Sequence, residues 1–391
     1  MNPILDELLA GRPFQDFHYT AAFQDALVIP ASGTQTVDIP LQTDGDFVAF
    51  SAPGRAGVAP PGELPAVVAG AGAVRLYRTL SDGVNVGWLA DMELPLPEAD
   101  GSFGSLDAGL GSSLAIDNGV LLVGAPGYLE GTGRVKAFAI NVGGGAGDWG
   151  EIQSFTPATA VPGDRFGSSV ALNGRWLLAG SPGRVQGGIA TGSVHVFDRD
   201  RVAAPEAITP ASELFHPHAG EGDRFGSALA ASNNDVMVGS PGRVNSGGHS
   251  DAGFEAIFHR QSSGWAPFGS ALGSVATGGD QLGYSMAIDG DFLIAGAPFD
   301  TVDGILSAGS AYIYRRDPVA VAGWSFLKTI TPDDASPNAR FGFDVDISGE
   351  LAVVGAPGFL DRGSAYVFER NVGGADGWGQ RKKLAVVGIA P

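Results

Sequence analysis

Six arginines stand at two recurring positions of the chain, and they are the residues best suited to bind a ligand. Three of them follow a proline by two residues, and three directly precede a Phe-Gly pair: Arg55, Arg184 and Arg243, then Arg165, Arg224 and Arg340. A guanidinium offers a planar set of donors that matches carboxylate, sulfate or phosphate. The alternative is that they form ion pairs between blades of the fold, because Asp164 and Asp223 directly precede two of them.

Histidines form the second candidate group. His216 and His218 flank Pro217, and His249 lies on a later segment with Asp251 close by. Imidazole nitrogens are common zinc ligands, so these three side chains could hold zinc or a similar ion if their loops meet. The alternative is that they are ordinary exposed loop residues, since the His-x-His spacing is also common without a metal.

No established catalytic motif accompanies these residues. The chain has no Gly-x-Ser-x-Gly, Walker or His-Glu-x-x-His sequence. It contains no cysteine, which excludes a disulfide framework and a thiolate nucleophile. Asp344 and Asp346 are the one acidic pair along a predicted innermost strand, where four other copies of the repeat have Ser or Ala. A carboxylate pair near a central axis is what an enzyme or a sugar-binding cleft would need.

Composition restricts the possible partners. The chain has 391 residues, of which 42 are acidic and 23 basic, for a net charge of −19. That field repels phosphate backbones, so we expect no nucleic-acid partner. With 61 Gly, 25 Pro and 44% hydrophobic residues, the chain is too turn-rich for a helical protein and too apolar for a disordered one. No apolar run approaches the roughly 18 residues of a membrane helix, so no membrane insertion is expected.

A repeat with a recurring Gly/Ser-Ala/Ser-Pro step positions these residues. The step occurs six times, with prolines 56 to 73 residues apart: Pro53, Pro126, Pro182, Pro241, Pro298 and Pro357. An alternating segment such as 166–172 and a tight turn precede the step, which predicts a hairpin. A Gly-started strand such as 192–197 follows, and the fourth strand begins with Trp in five copies. Four short antiparallel strands, repeated, predict an all-β propeller.

The repeat resembles the FG-GAP repeat of integrin α-chain heads, most closely in its bacterial form. The namesake pairs are Phe166-Gly167 with Gly180-Ser181-Pro182, Phe225-Gly226 with Gly239-Ser240-Pro241, and Phe341-Gly342 with Gly355-Ala356-Pro357. The resemblance covers about residues 34–384. Integrin heads carry calcium loops in several first hairpins, but turns here such as 289–291 are too short to supply alternating carboxylates. We therefore expect no calcium at these hairpins and no other cofactor.

The six copies predict six blades in one domain spanning residues 34–391. The predicted blades are about 34–97, 98–157, 158–216, 217–273, 274–332 and 333–391. Residues 1–33 form an N-terminal extension outside these copies that could add a strand and close the ring. Seven blades are therefore the alternative. The first copy is the most degenerate of the six.

The sequence favours a non-enzymatic binding or adhesion module that presents its loops to a protein or glycan partner, as the resemblance implies. Two alternatives remain: an enzyme or sugar-binding domain that uses the axial cleft, and a structural spacer or assembly unit of a larger surface protein. We expect an extracellular or cell-surface location, with the periplasm as the alternative, and a monomer or a part of a larger chain. The first residues themselves lack the basic and apolar regions of a secretory signal.

Overall fold

The structure is a computed structural model, and most of its regular structure is β-strand. It describes residues 41–44, 47–51, 74–81, 86–93, 109–142, 149–199, 210–232, 234–244, 248, 250–262, 264–269, 277–320, 323–361 and 363–385. Six four-stranded antiparallel sheets follow one another along the chain. Single helical turns occur at Tyr128–Gly131 and Phe359–Asp361, both in loops between strands.

The strands are numbered in chain order. Sheet 1 contains β1 (Leu41–Asp44), β2 (Phe47–Ser51), β3 (Val74–Ser81) and β4 (Val86–Glu93). Sheet 2 contains β5 (Ser113–Asp117), β6 (Val120–Ala125), β7 (Arg134–Ile140) and β8 (Trp149–Phe155). Sheet 3 contains β9 (Val170–Asn173), β10 (Trp176–Ser181), β13 (Ser193–Asp198) and β14 (Ser212–Leu214), with the hairpin β11 (Val185–Gln186) and β12 (Ile189–Ala190) in its loop. Sheet 4 contains β15 (Ala228–Ser232), β16 (Asp235–Gly239), β17 (Glu255–Gln261) and β18 (Gly264–Gly269). Sheet 5 contains β19 (Met286–Asp289), β20 (Phe292–Ala297), β21 (Ser310–Arg316) and β22 (Trp324–Ile330). Sheet 6 contains β23 (Val345–Ser348), β24 (Leu351–Ala356), β25 (Ser364–Glu369) and β26 (Gly379–Ala385).

The first strands of successive sheets lie side by side, in the order β1, β5, β9, β15, β19 and β23. Within each sheet the strands pair in chain order, so the first strand is innermost and the fourth is outermost. This arrangement is a β-propeller of four-stranded antiparallel blades, as the sequence predicts. The number of blades differs from the prediction, because the structure shows five, sheets 2 to 6, rather than six or seven. Sheet 1 has the strand pairing of a blade, but of its side chains only Val74 is described.

The hydrophobic core lies between neighbouring sheets rather than inside any one of them. One cluster joins Leu122 and Phe155 of sheet 2 to Phe166, Leu177 and Phe197, which belong to the next repeat. The second strands of sheets 2 to 5 are covered on both sides, and every residue of β20 is buried, whereas β24 of sheet 6 alternates between half-buried and buried residues. This explains why the second strands are continuous apolar runs instead of alternating ones.

The Phe-Gly and Gly-Ala-Pro elements meet at the seams between blades. A Cβ at Gly180 would overlap the carbonyl oxygen of Gly226, the glycine of the next Phe-Gly pair. The Ser169 hydroxyl donates a hydrogen bond to the same carbonyl, at 2.8 Å. A parallel bridge from Gly192 to Phe225 continues the seam. In the first copy Ser51 stands at the sequence position that glycine has in the other copies.

One seam contains a buried polar pair. Glu255 of β17 is fully buried, with 0% of its surface exposed. The equivalent positions of the other blades are apolar: Val135, Val194, Ala311 and Ala365. The Tyr314 hydroxyl of the next blade, where the others have Phe, donates to Glu255 Oε1 over 3.5 Å. Burial raises the pKa of Glu255 to about 8, so this carboxyl is mostly protonated at neutral pH.

Candidate functional site

The predicted site residues gather on one face of the propeller. This upper face is formed by the loops between second and third strands and by the segments that lead into each first strand. The loops are residues 126–133, 182–192, 240–254, 298–309 and 357–363. The leading segments include residues 156–169, 215–227 and 331–344. Arg55 and His249 lie outside the described residues.

Arg184 and Arg243 form ion pairs within the upper face. Arg184 Nη1 lies 3.0 Å from Asp164 Oδ2, and its Nε lies 3.2 Å from Glu213 Oε1. Arg243 Nη1 lies 2.7 Å from Asp223 Oδ2 in the same way one repeat later. Both carboxylates are buried and also accept backbone N–H groups of their own loops. The two arginines therefore connect two segments of one repeat. They form ion pairs, as in the alternative stated from the sequence, but these pairs lie within a blade rather than between blades.

Arg165, Arg224 and Arg340 have a different environment. All three adopt left-handed backbone, with φ of 58°, 56° and 56°. Their backbone places the next phenylalanine in the seam, and Arg340 N–H itself donates to Ser307 O of the preceding blade, at 3.1 Å. Arg224 pairs with Asp251 at 3.3 Å, with both side chains exposed. Within the described part of the chain, Arg165 and Arg340 have no carboxylate at ion-pair distance.

His216 and His218 lie together, but in unlike settings. His216 is buried between Phe225 and Phe254, and its Nδ1 accepts the His218 N–H at 3.0 Å. Burial, followed by the charge of Arg243, lowers the pKa of His216 to about 4, so the ring is neutral at physiological pH. Among the described residues, no three His, Asp or Glu side chains are grouped so that they could hold a metal ion. The zinc hypothesis stays a prediction, since it requires His249.

Asp344 and Asp346 break the pattern of the innermost strands. The residues equivalent to Asp344 in three blades are serines that donate to the glycine carbonyl of the next blade: Ser113, Ser169 and Ser285. Asp346 is half-buried, and burial raises its pKa to about 8, with further contributions from the charges of Asp344 and Asp289. The pair thus contains one carboxyl that is mostly protonated at neutral pH.

Exposed aliphatic side chains recur on the loops of the upper face. Every described repeat from sheet 2 to sheet 6 has at least one on the loop after its second strand, with exposed fractions from 39% to 70%. They are Leu129, Val185, Ile189, Val244, Leu306 and Leu360. Reading the repeat for its shared residues missed them, because these loops differ in length and cannot be aligned by spacing.

Three aromatic residues of the upper face were also missed from the sequence. Tyr284 and Phe343 follow the Leu-Gly and Phe-Gly pairs of sheets 5 and 6, and Phe299 follows Pro298. Their rings gather at one seam, with centroids 4.9 Å apart for Tyr284 and Phe343 and 6.1 Å apart for Tyr284 and Phe299. The Arg340 guanidinium lies over the Phe299 ring, 5.5 Å from its centroid. Comparing the copies position by position would have found them, since other copies have Ser or Gly there.

Comparison with known proteins identifies a repeat family for three segments of the chain. A model of the FG-GAP repeat matches residues 149–197, 270–314 and 324–368. Two of these segments begin at the Trp that opens a fourth strand, and all three end within a third strand. The matched segments are FG-GAP repeats, and the sheets that contain them form a β-propeller. The FG-GAP unit therefore straddles two blades, which agrees with the seam contacts between each Phe-Gly pair and the preceding blade.

One solved structure shows the same fold with little sequence likeness. The periplasmic gluconolactonase PpgL of Pseudomonas aeruginosa matches this FG-GAP propeller with a TM-score of 0.52 at 13% identity, over 90% of this chain and 85% of that one. At that identity the likeness shows the fold alone. No curated protein sequence matches the chain. Within the described residues, no helix is long and apolar enough to span a bilayer.

Proposed function

We propose that the protein is a non-enzymatic binding module whose upper face contacts a protein or glycan partner. The observation that carries this proposal is the exposed aliphatic residue on the second-to-third-strand loop of each described repeat. Isolated exposed apolar side chains are ordinary, but a set on one face at equivalent loops is typical of an interaction surface. The exposed arginines Arg165, Arg224 and Arg340 on the same face add donors for anionic groups of that partner.

The rigidity of the propeller supports a binding role. The loops 126–133 and 182–192 are held at their carboxyl ends by seam hydrogen bonds, from Phe166 N–H to Thr132 O at 3.1 Å and from Phe225 N–H to Thr191 O at 3.0 Å. Preorganised loops lose little conformational freedom on binding, which favours affinity. We propose an extracytoplasmic setting for this activity, and the location of PpgL in the periplasm is consistent with it.

A triple variant tests the proposal. Leu129→Ser, Val185→Ser and Val244→Ser together remove apolar area from three loops, while the seams stay intact. Burying such a side chain contributes about 1–2 kcal/mol, so we expect binding to an immobilised panel of extracellular-matrix proteins and glycans to fall at least tenfold. Val319→Ser is the matched control, because Val319 is 92% exposed on a loop between third and fourth strands, at the opposite face. Equal effects of the two variants, or no binder in the panel for the wild-type protein, would contradict the proposal.

A further inference from the structure

The aromatic cluster at the seam between sheets 5 and 6 is not explained by the packing of the repeat. Tyr284 and Phe343 stand where other copies have a serine, and Phe299 stands where they have a glycine. The serines are Ser112, Ser168 and Ser227, and the glycines are Gly127, Gly183, Gly242 and Gly358. A Cβ at three of those glycines, Gly183, Gly242 and Gly358, would overlap a backbone carbonyl. Phenylalanine at 299 therefore replaces the residue that this loop ordinarily requires.

The loop has adjusted to the phenylalanine. The hydrogen bond from the Phe299 N–H to Asp280 O is 3.4 Å long, against 3.1 Å from Gly183 N–H to Asp164 O at the equivalent place. A longer bond and a bulky side chain lower the stability of this loop relative to glycine. Phe299 is only half-buried, so it recovers only part of the burial that a phenylalanine of the core provides. Residues that weaken local packing are found where a site uses them.

The charge beside the rings indicates the chemistry of a ligand. Arg340 is exposed, lies over Phe299, and has no carboxylate partner within the described part of the chain. In the adjoining loop, Asp300 accepts a hydrogen bond from the Ser310 hydroxyl, at 2.6 Å. Flat aromatic faces bind the apolar C–H face of a sugar ring, and a guanidinium binds a carboxylate in a bidentate manner. A neutral sugar would leave the charge of the arginine without an anionic partner, and a free phosphate would leave the three rings without an apolar partner.

We propose that Tyr284, Phe299, Phe343 and Arg340 form a subsite for a uronic acid residue of a glycan. The aromatic rings take the face of the sugar, and Arg340 takes its carboxylate. This proposal rests on the proposed function, in which the upper face binds a partner, and it names one ligand class for the last two described blades. The site contains none of the residues Leu129, Val185 and Val244, so the two proposals can fail separately.

Calorimetric titration with uronate oligosaccharides tests the subsite. The probes are trimers of galacturonate, mannuronate and glucuronate, each compared with its neutral methyl ester. The variants Tyr284→Ser, Phe299→Gly and Phe343→Ser introduce residues that other copies carry, and Arg340→Gly matches Gly109, whose φ of 61° is nearly the same. Arg165→Gly is the matched control, since it removes an exposed arginine from the same repeat position without aromatic neighbours.

We expect the wild-type protein to bind at least one acidic trimer at least tenfold more tightly than its ester, and Arg340→Gly to remove that preference. The aromatic variants should weaken acid and ester together, and Arg165→Gly should change neither. No binding of any acidic trimer, equal affinity for acid and ester, or equal effects of Arg340→Gly and Arg165→Gly would overturn the subsite. The two proposals are separated by one combination of results. If the triple aliphatic variant still binds uronate and the wild-type protein finds no partner in the panel of proteins and glycans, the subsite is supported and the wider contact surface is not.

Discussion

Replacing Glu255 by glutamine is expected to remove a loss of stability that the wild-type protein undergoes as the pH rises. Burial raises the pKa of this carboxyl from its ordinary 4.5 to about 8 in the folded protein. Between those two pH values the folded chain holds a proton that the unfolded chain has released. The contribution of Glu255 to stability is therefore fully present below pH 4.5 and is lost as the pH rises through 8.

The size of the effect follows from the two pKa values. Each pKa unit corresponds to about 1.4 kcal/mol, so the free energy of unfolding falls by about 3 kcal/mol on going from pH 4.5 to 7. The loss reaches about 5 kcal/mol above pH 8. Glutamine cannot ionise, and its carbonyl can still accept the Tyr314 hydroxyl. Asp346 also has a raised pKa, but it is present in both proteins and cancels when they are compared.

Urea unfolding followed by tryptophan fluorescence at pH 5, 7 and 9 measures the difference. The gap in free energy of unfolding between Glu255→Gln and the wild-type protein should widen in favour of the variant at each step. Tyr314→Phe, which matches the residue of the other blades, keeps the buried carboxyl and must keep the pH slope. If the free energy of unfolding depends on pH in the same way for the wild-type protein and Glu255→Gln from pH 5 to 9, the assignment is wrong. A free energy of unfolding that does not change with pH in Tyr314→Phe would also refute it.

Three further predictions concern residues of the seams and loops. Arg184→Ala should lower the free energy of unfolding by roughly 3 kcal/mol in chemical denaturation, because it leaves the buried Asp164 carboxylate unpaired, whereas Arg165→Gly should change it by less than about 1 kcal/mol. Equal effects of these two variants would contradict the distinction drawn between paired and exposed arginines. Gly180→Ala should cost about 2 kcal/mol or more through overlap with a backbone carbonyl, and a melting temperature like that of the wild type would show that the seam is not tight. His216→Phe should remove a stability loss of about 2–3 kcal/mol that the wild-type protein undergoes as the pH falls from 6.5 to 4. The loss arises because the folded protein keeps this ring neutral while the unfolded chain takes up a proton. Chemical denaturation at pH 7 and 4 measures it, and an equal change in the free energy of unfolding of both proteins would exclude it.

Much of the blade could be predicted from local patterns. The apolar run from Val120 and the Asn173-Gly174 turn gave the strand β6 and the hairpin between β9 and β10, because alternation and turn chemistry act over a few residues. The predicted first strand at 166–172 starts late, however, with β9 beginning at Val170. Phe166 and Gly167 are used instead for the bridge to the preceding blade, and that contact depends on the neighbouring repeat rather than on the segment itself.

The candidate site was less accessible to sequence reasoning. The arginines were found by their repeated spacing, but spacing alone could not separate Arg184, which is paired, from Arg340, which lies over an aromatic ring. Tyr284 and Phe343 are one repeat apart and meet only because the blades are adjacent at the axis. Such a contact follows from the circular arrangement of the blades, and a short segment of the sequence does not contain both residues.

The distance in sequence between the residues that meet at a seam affects how the chain can assemble. Each parallel bridge joins residues some thirty positions apart, as for Gly133 with Phe166 and Gly309 with Phe341, whereas side-chain contacts between the same blades join residues up to 82 positions apart, as for Arg199 with Asp117. The backbone bridge of a described seam therefore closes a short loop at a small cost in loop-closure entropy, whereas the side-chain contacts have to wait for strands that come later in the chain. The two sets of contacts within one seam can therefore form at different stages of folding.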